Sequence, residues 1–296
     1  MNTRTEQQTK RPPKQYRPNA TPNTAKLLTN EDMREVLDFL GQRPAHTAVL
    51  SGPIVDHGII SPKHCGSYYG YRDDVRNLVG VALIGRHTIL EARTDTAIYA
   101  FARCARRCPD VRMVFAEKRD LTTFWRYYGK SNTRPNVTCH RLIQAASHDT
   151  ADTDIVSELR VATVDDLDAI VSVHAEMVRA ETGVDPLRID AEGFRTRCLQ
   201  RVEKGRVWVW IRNGKLIFKT DIAAITPQSI YIEGLWVDPG ERRKGIGTRG
   251  LASLCRNLLT RADSVCGFMD EALGSLHSFY KKAGFKPTTS YAKIYL

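Results

Sequence analysis

The chain has 296 residues, 42% hydrophobic and 26% charged, with a formal net charge of +11; this suits a globular protein of two domains and excludes fibrous or disordered classes. No run of about 18 apolar residues occurs, which excludes a spanning helix, and the leading MNTRTEQQTKRPPKQYRPNATPNTAK lacks the apolar core of a secretory signal, so a cytoplasmic location is expected. The seven cysteines are scattered, and neither Cys104/Cys108 nor Cys139/His140 has a partner at zinc-finger spacing, so reduced thiols and no metal are expected.

Residues 1–23 form a basic tail in which Lys10, Arg11, Lys14 and Arg17 alternate with Pro12, Pro13 and Pro18, and disorder is expected. The positive charge suits either nucleic acid or a polyphosphate ligand. A first folded unit spans 24–146. Thr29 and Asp32 predict a capping box, and Met33, Val36, Leu37 and Leu40 a helix that Gly41 and Pro44 end. Strands follow at Gly66–Tyr71, Leu78–Ile84 and Thr88–Ala92, then a helix at Asp95–Arg107. A strand at Val111–Ala116, an aromatic helix at Leu121–Tyr128 and a strand at Val137–Ile143 complete the unit.

The polar stretch 147–157 reads as a linker. The second unit, 158–296, opens with strand Leu159–Ala162 and a helix capped by Thr163 and Asp166, whose apolar face includes Leu167, Ile170, Val171 and His174. A helix at Ala191–Lys204 leads to strands Arg206–Ile211, Lys215–Ile225 and Ser229–Val237, with Asn213-Gly214 as a hairpin turn. A long helix at Gly245–Arg261, a strand at Val265–Met269, a helix at Ser275–Ala283 and a strand at Tyr291–Leu296 follow. Both units thus repeat one order of strands and helices, predicting a mixed α/β fold on a central sheet.

The segment IYIEGLWVDPGERRKGIGTRGL (230–251) carries the chemistry. A β-branched strand stops at Pro239 and a helix begins near Gly245. Between them Gly245 and Gly247 permit close backbone approach, and unpaired amides at the helix start suit a diphosphate. Arg242, Arg243 and Lys244 add positive field, with Ile246 and Thr248 completing the turn. The spacing matches neither a P-loop nor a dinucleotide turn, which argues against nucleotide hydrolysis and hydride transfer. Taken alone, it is equally a plain structural turn.

This segment resembles motif A of the GNAT superfamily of N-acetyltransferases, [R/Q]xxGx[G/A], with Arg242, Gly245 and Gly247 in the defining positions. SLHSFYKKAGF (275–285) resembles the superfamily's later helix ending in Y-x-x-x-G-F. FKTDIAA, IEGLWVDP and SYAKIYL are similar to two-domain bacterial GNAT proteins with an extra N-terminal domain. The resemblance covers about 158–296. It implies a C-terminal GNAT acyltransferase fold, preceded by a smaller, degenerate GNAT-like α/β domain.

The reaction so implied is acetyl transfer from acetyl-CoA to a primary amine by direct attack on the thioester. Glu233 is the candidate base, sharing a strand face with Tyr231; the alternative is a solvated or salt-bridged carboxylate. Gly234-Leu235 resembles the place where GNAT strands bulge and splay. The N–H of Leu235 would then face the thioester carbonyl, with backbone groups of Trp236 and Val237 on the pantetheine amides. Tyr280 is the candidate acid for the leaving thiolate, or alternatively core with Phe279 and Phe285. Where GNAT sequences often carry Asn-x-x-Ala, this chain has Leu273 and Leu276.

Asp270, Glu271, Glu176, Glu181 and Asp185 are secondary candidates for meeting the acceptor. His174 is expected to be a satisfied core histidine and His277 a surface residue. In the first unit the corresponding junction, HTILEARTDTAIYAFARC, lacks RxxGx[G/A], and Thr94-Asp95-Thr96 reads as a plain cap. That unit is expected to be a non-catalytic partner. The expected partners are acetyl-CoA and an amine, with no membrane, in a monomer or homodimer. A silent acyl-CoA sensor and a nucleic-acid- or ribosome-associated acetyltransferase stand as alternatives.

Overall fold

A computed structural model describes residues 24–129, 135–146 and 155–296. The expected tail, and the expected linker up to residue 154, lie outside the described residues. Strands β1 (Lys26–Leu27), β2 (Gly66–Arg72), β3 (Leu78–Gly85), β4 (His87–Ala92), β5 (Met113–Glu117) and β6 (Asn136–Ala146) come from the first unit. Strands β7 (Leu159–Val161), β8 (Val207–Arg212), β9 (Lys215–Ile225), β10 (Ser229–Val237), β11 (Ser264–Asp270) and β12 (Lys286–Tyr295) come from the second.

The helices are α1 (Met33–Gly41), α2 (Pro44–His57), α3 (Asp95–Arg106), α4 (Lys118–Tyr128), α5 (Leu167–Thr182), α6 (Pro186–Glu203), α7 (Ile246–Leu258) and α8 (Ser275–Lys282). Local chemistry sets their ends. Thr29–Asp32 and Thr163–Asp166 both close as capping boxes, with the Asp32 and Asp166 carboxylates accepting the Thr29 and Thr163 amides at 2.8 Å. Asn213 (φ 52°) and Gly214 (φ 74°) form the β8–β9 turn with two positive φ values.

Helix α2 was not expected. Pro44 sits at its first turn, where a missing N–H costs nothing, and Pro53 lies inside it. Apolar and small residues surround the whole cylinder, so no amphipathic stripe betrays it; Ala45, Ala48, Leu50 and Ile54 are all buried.

The twelve strands of the described residues form one mixed sheet in the order β1-β2-β3-β4-β5-β12-β6-β11-β10-β9-β8-β7. Only β4·β5 and β10·β11 run parallel. The final strands of the two units are exchanged: β6 lies against β11 of the second unit, and β12 against β5 of the first. The two pair antiparallel at the centre. Each half covers both sheet faces: α3 and α4 share one core with Leu90, Val114 and Ile294, and α1 and α2 another with Tyr68 and Val81. In the second half α7 packs with Phe218, Ile232 and Phe285, and α5 and α6 with Val209, Leu216 and Trp236 on the opposite face. A fifth cluster joins Ala45 and Ala48 of α2 to Phe115, Leu142, Cys266 and Tyr291, so α2 seals the midline.

Candidate active site

The site is built where β10 leaves its neighbours. Against β11 it is paired over Ser229–Tyr231 with Ser264–Cys266; beyond Tyr231 its β11-side edge has no partner strand among the described residues. Against β9, Glu233 faces Asp221 but Trp236 faces Lys219, so Gly234 and Leu235 together oppose Thr220. This is a bulge at the expected place, and Gly234 takes φ +61°, which favours glycine. Thr220 Oγ1 donates to the Glu233 carbonyl at 3.1 Å. Backbone polar groups on the free edge from Ile232 to Val237 are available to a ligand.

The bulge rests on a buried ion pair. Lys219 is 0% exposed and Asp221 1%, with Lys219 Nζ 2.7 Å from both Asp221 oxygens. A Cβ on Gly234 would come within 2.8 Å of Asp221 Oδ2. Arg201 of α6 extends the chain of charges, donating to Asp221 Oδ2 at 3.3 Å and to Glu233 Oε1 at 3.2 Å. Glu233 is therefore half-exposed and ion-paired, on the same strand face as the buried pair. Burying Lys219 and Asp221 costs several kcal/mol per ion unless geometry compensates; two 2.7 Å bonds supply that compensation. Sequence reading passed over this pair, although two charges at the inward parity of an apolar strand were its signal.

Beyond Val237 the chain turns through Asp238, whose side chain accepts the Gly240 amide at 2.9 Å, into the α7 N-terminus. Gly245 is the helix N-cap at φ +79° and Arg243 also has positive φ, 64°. Among the described residues, no acceptor bonds any backbone N–H from Arg242 to Thr248; the first in the run to be bonded is Arg249, to Gly245 O at 3.0 Å. Arg242, Arg243 and Lys244 are exposed around this row of amides. Arg242 Nε donates back to Val237 O at 3.1 Å, tying the turn to the strand end. Donors, helix dipole and cations converge as an anion-binding concavity requires. A coenzyme A diphosphate fits that donor set.

Tyr280 projects from α8, its ring 4.9 Å from Phe279 and 5.7 Å from Phe285. Burial pushes its phenol up to about 12, so it stays protonated at neutral pH. Phe279 in turn backs Gly247, whose Cβ would meet it at 2.9 Å. Leu235 and Val237 pack against the α7-side core and Trp236 against the α5–α6 core, so side-chain packing and backbone exposure coexist.

Other candidates are placed apart or occupied. Glu271 pairs with Arg141 at 2.6 Å, and Asp270 Oδ1 accepts the Ala272 amide. Asp185 caps α6 and Glu181 lies 4.0 Å from Lys293. His277 is exposed. His174 departs from expectation: it stacks on Phe194, but its Nδ1 is buried with no hydrogen-bond partner and lies 3.9 Å from Asp221 Oδ2. Burial, with Lys219 nearby, lowers it to about 4, so it is neutral at pH 7. A cavity of about 810 Å³ is lined by first-unit residues alone, beside the α3 C-terminus with Arg86, Arg107 and Arg112. Among the described residues, no three His, Cys, Asp or Glu side chains converge as a metal site, and no helix is long and apolar enough to cross a membrane.

One bulged, splayed strand of the mixed sheet thus leads into an amide-rich helix turn. The family model described as acetyltransferase (GNAT) domain matches residues 203–287, the stretch that holds β10, the turn and α7. No curated protein sequence matches the chain. Solved structures agree on the fold. A Drosophila protein superposes with TM-score 0.67 at 13% identity, over 93% of this chain and 99% of its own. A GCN5-related N-acetyltransferase from Sphaerobacter thermophilus gives 0.59 at 11% identity, over 93% and 95%. A tandem GNAT protein from the clavulanic acid biosynthesis pathway gives 0.58 at 14%, over 91% and 97%. Coverage of more than nine tenths of this chain in each case shows that both halves share the fold of these structures.

Proposed function

We propose that the second half, 158–296, is an acetyl-CoA-dependent N-acetyltransferase acting on a primary amine, and that 24–146 is its non-catalytic partner. One observation carries this: the unbonded amides from Arg242 to Thr248 follow directly from the free edge of β10. The cofactor supplies an activated acetyl thioester. The amides of Arg242–Thr248 and the cations there would hold its diphosphate, and backbone groups of Trp236 and Val237 its pantetheine arm. The amide of Leu235, on the bulge, donates to the thioester oxygen as negative charge develops. Glu233 takes the proton from the acceptor ammonium, directly or through water, while Arg201 fixes its rotamer. Tyr280, kept protonated by burial, gives its proton to the departing thiolate.

Titration with acetyl-CoA tests the reading. A saturable complex is expected, together with coenzyme A release that depends on an added amine; absence of both overturns it. A silent binder is the second reading, supported by Glu233 being ion-paired and by Leu273 and Leu276 replacing the asparagine motif. Saturable binding without amine-dependent thiol release would select it.

A further inference from the structure

A second cavity, about 280 Å³, opens on the same sheet face as Glu233. Its walls are α6 and His174 of α5, and it shares Arg201 with the candidate base. Arg201 thus touches both the cavity and the Glu233 carboxylate.

The chemistry of the lining is one-sided. Its charged side chains are Arg197, Arg201 and Lys204, and no carboxylate lines it. Arg201 is neutralised by Asp221 and Glu233 behind it. Lys204 has no acidic partner among the described residues. Arg197 has only Asp190, at 3.3 Å, with both side chains at least half exposed; such a pair contributes about 0–1 kcal/mol and yields to a better-placed anion. Between the cations lies an apolar wall, Phe194 stacked on neutral His174 with ring centroids 5.4 Å apart and Cys198 buried beside them. A second ammonium entering here would meet three cations. A carboxylate or phosphate would meet two with donors to spare.

We infer that this cavity is the acceptor subsite and that it selects small amines carrying an anionic group, which Arg197 and Lys204 hold while the amine reaches Glu233. The inference rests on the reading of this half as an amine acetyltransferase. It narrows the acceptor from any primary amine to amino acids of short reach, carboxylic or phosphoric.

Four primary amines on short spacers test it: β-alanine, O-phosphoethanolamine, ethanolamine and 1,3-diaminopropane. With acetyl-CoA and the full chain, kcat/KM for at least one acid is expected to exceed that for ethanolamine by about tenfold or more, the value of one charge-assisted contact. The diamine is expected to be the poorest. Comparing β-alanine with O-phosphoethanolamine distinguishes carboxylate from phosphate. In Arg197→Gln/Lys204→Gln the acid-to-ethanolamine ratio should fall towards one, whereas Arg195→Gln, on the outer face of α6 against Asp168, should preserve it. A diamine preference, or a ratio unmoved in the double variant, overturns the proposal. Binding of the same compounds without cofactor, followed by calorimetry, separates the two levels. If no amine is ever acetylated but the acids bind and lose affinity in the double variant, the transferase reading fails and the subsite stands. If turnover is robust but blind to the acid, the reverse holds.

Discussion

The two halves hold the same junction in opposite states. In the first, β4 pairs with β5 over His87–Ile89, and Glu91 follows the last paired residue by two positions; in the second, Glu233 stands in the same relation to Tyr231. From there they diverge. β4 stays in register with β3, Glu91 against Val81 and Ala92 against Gly80, with no bulge. Glu91 is 3% exposed and clamped by Arg43 and Arg93. Helix α3 then starts immediately: the Thr94 hydroxyl accepts the Ala97 amide, and Asp95 sets a negative charge in the first turn. β10 instead bulges and takes a longer path through Arg242–Gly245 to α7, leaving amides unclaimed. A ligand site here is thus what remains when a strand-to-helix turn does not satisfy itself.

That contrast can be broken outright by removing residues 1–150. The deletion takes β6 from between β11 and β12, so loss of cooperative folding and of all transfer is expected in thermal melts and thiol-release assays. Retained specific activity would sink the idea that the first half is integral. Gly245→Asp should weaken acetyl-CoA binding by about a hundredfold or more, by placing a side chain at positive φ and a negative charge among the phosphate donors. Asp95→Asn, one residue after the corresponding N-cap Thr94, should leave affinity unchanged.

The paired glutamates sharpen the comparison. Glu233→Gln is expected to lower kcat by about 10²-fold or more with KM little changed. Glu91→Gln should spare kcat and cost about 1–3 kcal/mol in denaturant titration, because it deprives two arginines of their buried counter-charge. Equal effects of the two on kcat would erase the distinction. For the pair beneath the bulge, Asp221→Ala should destabilise by about 3–5 kcal/mol, leaving Lys219 buried and uncompensated, and Lys219→Met/Asp221→Leu should regain most of that.

The smallest expected effect is one of pH. His174 and His140 are both lowered to about 4, first by burial, and His140 also by Lys293. Between pH 6.5 and 5 the unfolded chain takes up protons that the folded chain refuses, so stability falls with pH by up to about 1.4 kcal/mol per unit for each histidine. Asp120, raised to about 6 by burial and by Glu117 and Glu91, acts in the opposite sense below that pH. Comparing the parent with His174→Gln in chemical denaturation at pH 7 and pH 5 isolates the histidine contribution, and a slope unchanged in the variant would refute it.

Most elements were legible because their apolar residues repeat at helical or strand spacing; β9 and β10 end where expected, and the bulge was marked by Gly234. What escaped had no local signature. α2 is apolar all round. The exchange of β6 and β12 depends on which of two similar edges each strand joins, a choice made by contacts far away in sequence. Lys219 and Asp221 were visible as charges but not as a buried pair, since only the fold brings Arg201 and the Gly234 crest onto them. His174 was assigned to the interior correctly in position but not in bonding.

The exchanged strands have a consequence for how the chain is made. Emerging from the ribosome, the first half can assemble β1 to β5 but must wait for Lys286–Tyr295 before β5 has its outer neighbour. Until then β6 presents a bare edge of Asn136–Ala146, which other nascent copies could capture. Slow synthesis over the second half would therefore expose the protein to tangling between copies, and the last strand to arrive fastens both halves at once.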